Sequence, residues 1–118
     1  MPLSTKIRAV KVDHQNRVFI GGQNQIGYFE NTKKGLEFTS LVDNLRPDLK
    51  SFSEIWNIIE INNQIFFNTE SKLLIFNGDG ITDSESPGFL LASFKHRNKL
   101  IAQFYEEGLF EFVNGRFE

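Results

Sequence analysis

Val12-Asp13-His14-Gln15-Asn16-Arg17-Val18-Phe19-Ile20 reads as the end of one strand, a polar turn and the start of the next, and the chain writes this phrase three times. The counterparts are Glu60-Ile61-Asn62-Asn63-Gln64-Ile65-Phe66-Phe67 and Phe94-Lys95-His96-Arg97-Asn98-Lys99-Leu100-Ile101-Ala102. Each copy puts an Asn in the turn, where a side chain that tolerates positive φ is wanted. Downstream of each, a second turn leads into another apolar run: Ile26-Gly27-Tyr28-Phe29, Leu73-Leu74-Ile75-Phe76 and Leu109-Phe110-Glu111-Phe112. The anchor Phe29 thus recurs at Phe76 and Phe112, 47 and then 36 residues on.

A period of this length, built from short strands without helices, is the signature of β-propeller blades. The expected fold is all-β, a β-propeller fragment of about three antiparallel four-stranded blades within one unit, approximately residues 6–41, 52–83 and 87–118. Strands are expected near 6–13, 17–22, 25–30 and 35–41, then 53–61, 64–68, 72–77 and weakly around 81, then 89–95, 98–104 and 108–113. Period-two alternation supports them, with Val18 and Ile20 pointing one way across the pleat. The segments 42–51, which holds Pro47, and 82–88, which holds Pro87-Gly88, read as connections.

Three blades fall short of the four or so that a closed ring needs. Two sheet faces are then expected to stay open, and baring roughly 400–500 Å² of apolar area on each would forgo about 10 kcal/mol. That is a typical domain's whole stability, about 5–15 kcal/mol. The sequence therefore predicts either a fragment of a longer propeller, completed by missing blades, or a homodimer in which a second copy covers the open faces. Only Arg116-Phe117-Glu118 is left for a fourth strand of the last blade, which adds to the fragment expectation.

Composition narrows the function classes. With 118 residues, 40% of them hydrophobic, the chain can bury one core, and 13 Phe against one Trp and one Met suit a pleated interior. A net charge of −2 and scattered Lys and Arg argue against direct nucleic-acid binding. No apolar run approaches 18 residues and no signal peptide opens the chain, so membrane contact is not expected. Zero cysteines rule out disulfides, thiolate metal sites and a cysteine nucleophile.

Individual residues carry little catalytic signal. His14 and His96 occupy equivalent turns of the first and third repeats, which reads as two exposed turn residues set apart rather than a metal pair. Gly21-Gly22-Gln23-Asn24-Gln25-Ile26-Gly27 lacks both phosphate-loop patterns and reads as a glycine-eased strand end. The carboxylates Asp79, Asp83, Glu85, Glu106 and Glu107 all sit in expected turns, and no G-x-S-x-G elbow is present. No catalytic residue, metal ligand or cofactor is therefore expected. Trp56 is the one ligand-binding candidate: it lies in the expected innermost strand of the second blade, where an indole is a platform for a sugar ring. The commoner reading of such a residue is a core tryptophan wedged between blades. Rim loops at 23–25, 69–71 and 105–107, with the two connections, would frame any site.

The run from Arg17 to Phe29, followed by Phe38-Thr39-Ser40-Leu41 and Ile55-Trp56-Asn57-Ile58, resembles the two-component-regulator propeller repeats. These occur in sensor regions of Bacteroidetes hybrid histidine kinases and of helix-turn-helix regulators with a triple-tyrosine domain. The resemblance implies a non-enzymatic segment of a bacterial signal-transduction or transcription regulator, with a carbohydrate-type ligand and a periplasmic parent protein. The alternative is a protein-interaction propeller that self-associates through its open blade faces.

Overall fold

The structure, a computed structural model, describes residues 6–42, 45, 47 and 54–118. Among them twelve strands form three antiparallel four-stranded sheets in plain chain order. Sheet 1 holds β1 (Ile7–Val12), β2 (Val18–Gly22), β3 (Gln25–Thr32) and β4 (Gly35–Ser40). Sheet 2 holds β5 (Ile55–Ile61), β6 (Gln64–Thr69), β7 (Lys72–Phe76) and β8 (Ile81–Glu85). Sheet 3 holds β9 (Leu90–His96), β10 (Lys99–Phe104), β11 (Gly108–Val113) and β12 (Arg116–Phe117).

The turns explain why these residues fold as hairpins. Asn62-Asn63 and Arg97-Asn98 both take positive φ at their two central positions (50° and 65°, 49° and 64°), the type I′ geometry whose twist matches the flanking strands. The first repeat turns differently. Asn16 N–H donates to the Asp13 carbonyl (3.0 Å) and Asn16 is left-handed (φ 61°). Asp13 is buried there, its carboxylate accepting from the Gln15 and Arg17 amides (3.1 and 2.8 Å) and from the Arg17 guanidinium (2.8 and 2.9 Å). Burial pushes the Asp13 carboxyl up, but the backbone donors and the Arg17 charge outweigh it and hold it below its ordinary value.

Sheet 2 is the middle layer and is buried on both faces. Ile58, Ile65, Phe67, Leu74 and Phe76 pack toward Phe19 and Ile26 of sheet 1. The alternate positions Ile59, Phe66, Leu73 and Ile75 pack with Leu100 of sheet 3, beside Phe112 and Phe117. The period of two along β6 and β7 thus serves two separate cores. Packing runs from sheet 1 to sheet 2 to sheet 3, β5 lying against β1 and β2 on one side and β9 on the other. The row is open, and sheets 1 and 3 each keep an outward face.

Gly21 sets the spacing of the first interface. A Cβ at that position would fall 2.7 Å from Cβ and Cγ2 of Ile55 and 2.8 Å from its Cγ1, so only glycine lets β5 approach this closely. The glycine-eased strand end is therefore a close approach between sheets.

Two boundaries differ from expectation. β8 runs through Thr82-Asp83-Ser84-Glu85, most of which reads as a connection in the sequence, and Arg116-Phe117 does pair with β11 through Phe112↔Phe117 and Val113↔Arg116. Both are edge strands; the polar run of β8 is held by backbone hydrogen bonds, while β12 also seats Phe117 against Phe104 and Phe112, ring centroids 5.0 and 5.2 Å apart. Most of the expected connection 42–51 lies outside the described residues. Among those residues, no helix is long and apolar enough to cross a membrane.

Candidate functional site

The first strand of each sheet carries the same irregularity. The register of β1 against β2 slips between Ile7 and Ala9, that of β5 against β6 between Ile55 and Asn57, and that of β9 against β10 between Leu90 and Ala92. The opposing residues are Gly22 and Gly21, Thr69 and Asn68, and Phe104 and Gln103. These pairs stand at equivalent places, at the strand ends that lead into the 23–25, 69–71 and 105–107 loops. Each slip leaves one extra residue outside the ladder: Arg8, Trp56 and Leu91. A β-bulge re-aims its side chain, and bulges gather at functional rims. All three side chains are exposed.

The Trp56 bulge corrects the wedged-core reading. The indole is 52% exposed, because the extra residue turns it out of the alternation that buries Ile55 and Ile58 on either side. It borders a cleft of about 320 Å³ between β5 and β9, shared with Asn57, Leu90, Leu91, Ala92 and Ser93. Thus two of the three bulge residues, Trp56 and Leu91, face one cavity. Phe89 and Tyr105 are also exposed, and Tyr105 N–H donates to the Phe89 carbonyl (2.8 Å).

The polar lining of the cleft is tied together by hydrogen bonds. Asn57 Nδ2 donates to the Ser93 carbonyl (2.9 Å) and to Ser93 Oγ (3.0 Å), tying β5 to β9, while its Oδ1 accepts from the Ile58 amide (2.9 Å). Directly across the ladder from Asn57, Asn68 is buried, and its Nδ2 has no partner among the described residues. At the first bulge, the Arg8 guanidinium reaches Glu54, just before β5, at 3.2 Å. An aromatic face beside a short polar lining can hold a ligand with one apolar and one hydroxylated side.

The other sequence candidates lie elsewhere. His14 is exposed but not idle: its Nδ1 meets Glu60 across the interface of sheets 1 and 2. Asp13, His14 and Glu60 come close enough to suggest a cation site, yet the Asp13 oxygens are committed to Arg17 and the turn amides. His96 is exposed at the end of β9. Asp79 lies in a turn organised by Asn77, whose Oδ1 accepts from the Asp79 and Gly80 amides (2.9 and 3.1 Å), and Glu85 pairs with Lys72 (3.7 Å). Asp83 is half-buried in β8, and Glu106 and Glu107 are exposed in the β10–β11 loop.

The bulge triad and the Asp13 turn are not singled out by sequence reading. The bulges leave no composition signal, since they need only one surplus residue. Asp13 could have been found from Asp-x-x-Asn-Arg, an acid positioned to bond amides two and four residues on. The chain matches no family model, no curated protein and no solved structure.

Proposed function

We propose that the chain is a non-enzymatic ligand-sensing segment of a β-propeller, with the Trp56 cleft taking a carbohydrate-type ligand. The observation that carries this reading is an exposed indole on a bulge beside a cavity whose lining includes Asn57 and Ser93. Sugars present a C–H face that stacks on an aromatic ring and hydroxyls that pair with amides and carbonyls. Three four-stranded sheets stacked in chain order, with β5 between β1 and β9, are consistent with consecutive blades whose inner strands line a channel. In the wider proposal the parent protein is a bacterial two-component or transcription regulator with its sensor in the periplasm, resting on a resemblance to its propeller repeats that covers most of the chain and is strongest over residues 17–60.

The test uses the chain's only tryptophan as its reporter. Titration with neutral mono- and oligosaccharides is expected to shift Trp56 emission and raise the melting temperature; at ten times Kd, linkage adds about 1.4 kcal/mol to stability. Trp56→Ala is expected to abolish the stabilisation while leaving the fold intact, since the side chain is exposed. If no sugar moves either signal at millimolar concentrations, or if Trp56→Ala keeps the full thermal shift, the reading is wrong.

A further inference from the structure

The repeat makes it possible to ask what the outward faces of sheets 1 and 3 would meet if they were buried like their counterparts. In sheet 2 the face toward sheet 1 uses Ile58, Ile65 and Phe76, all at most 5% exposed. By register, the same positions in sheet 1 are Val10, Val18 and Phe29, which lie on its outward face. Val10 is 60% exposed, and Phe29 packs on Phe38 of its own sheet, ring centroids 4.8 Å apart. In sheet 2 the face toward sheet 3 uses Ile59, Phe66 and Leu73, all at most 7% exposed. The same positions in sheet 3 are Phe94, Ile101 and Leu109, again on the outward side, with Phe94 47% and Leu109 67% exposed.

One end of the row therefore presents the half-interface that sheet 2 turns toward sheet 1, and the other end presents the half that sheet 2 turns toward sheet 3. The chain already joins such halves twice, through its two internal cores. We infer that a second copy of this chain docks head to tail, the Val10/Val18/Phe29 face of one copy on the Phe94/Ile101/Leu109 face of the other. A two-fold axis makes the second contact as it makes the first, so both open faces are covered with two chains. Six sheets lie within the four to eight of known closed rings. One position departs from the pattern: Glu111 stands where sheet 2 has Ile75, and it pairs with Lys99 (3.4 Å) on the same face. That ion pair would lie in the interface with its charges already matched. The inference is independent of the sugar reading, because it uses the faces and not the cleft.

Light scattering with size-exclusion chromatography across a concentration series tests it. The wild-type chain is expected at twice the 13.6 kDa of one copy. Val10→Glu and Leu109→Glu each place a charge on one of the two faces, at exposed positions where circular dichroism should show an unchanged fold. Each alone is expected to give a single-chain mass, with the dissociation constant raised at least about 100-fold. Mixing the two variants leaves one unaltered contact, Val10 face of the Leu109→Glu copy on Leu109 face of the Val10→Glu copy, and is expected to recover a two-chain mass. A wild-type monomer at every concentration overturns the inference. So does a dimer lost in only one of the two variants, which would mean like faces meet, and so does a mixture that stays monomeric.

Discussion

Gly21→Ala tests the closest contact in the molecule. The added Cβ would sit 2.7–2.8 Å from three atoms of Ile55, all on the branched stem of that side chain and none at a flexible tip. Relief to an ordinary carbon–carbon separation of about 3.5–4.0 Å requires β2 and β5 to part by roughly 1 Å. Ile55 is fully buried and begins the central strand of the row, so the displacement must be shared by the core of Phe19, Ile26, Ile58 and Phe67. Overpacking of this kind costs about 1–3 kcal/mol. For a domain of this size that is about 4–12 °C in melting temperature. Gly80→Ala is the control: nothing lies within 4 Å of its would-be Cβ and its φ is not in the left-handed region, so it should melt within about 2 °C of wild type. Thermal unfolding followed by far-ultraviolet circular dichroism gives both numbers. Adding Ile55→Ala to Gly21→Ala removes two of the three clashing atoms, so the double variant should lose less than the sum of the singles. Equal melting of Gly21→Ala and Gly80→Ala, or strict additivity with Ile55→Ala, would refute the claim that glycine sets the spacing of sheets 1 and 2.

Two further outcomes follow from buried polar groups. The Asp13 carboxyl is held below its ordinary value of 3.8, so its contribution is fully present above that pH and is lost as pH falls through the lower folded value. Asp13→Asn should cost about 1.5–3 kcal/mol at pH 7, with the gap to wild type closing in urea melts as pH falls below 3.8; a gap that is unchanged in acid would show that the charge on Asp13 is not what matters. Asn68→Leu replaces a buried amide whose Nδ2 lacks a partner with an apolar side chain of similar size, and should raise stability by about 1 kcal/mol in the same assay. A loss there would mean that the Asn68 amide is satisfied in solution, by water or otherwise.

The sequence was most legible where two signals coincided. Asn62-Asn63 and Arg97-Asn98 combine a turn that tolerates positive φ with apolar alternation on both sides, and strands β5, β6, β9 and β10 end within about two residues of expectation. Where only one signal existed the reading slipped. Thr82-Asp83-Ser84-Glu85 is polar throughout, since an outer strand with solvent beside it needs no apolar face, and so β8 looked like a loop. The apolar pattern puts Trp56 on the right strand but favours a core position for it, because alternation predicts orientation only while the register holds. The surplus residue that breaks the register at Trp56 is visible only once β5 and β6 are paired.

That surplus residue separates what the repeat keeps from what it varies. Two of the face positions stay apolar from copy to copy: Val18, Ile65 and Leu100 occupy one of them, and Phe29, Phe76 and Phe112 another. In sheets 2 and 3 these positions fill a space between layers, where packing leaves little choice. The bulge position is free of that demand, and it holds a cation in Arg8, an indole in Trp56 and an aliphatic chain in Leu91. Three copies of one backbone irregularity with three unlike side chains make a rim whose geometry is repeated and whose chemistry is not. Under the proposed sugar-binding reading, a ligand that touches more than one bulge is read by the differences among Arg8, Trp56 and Leu91.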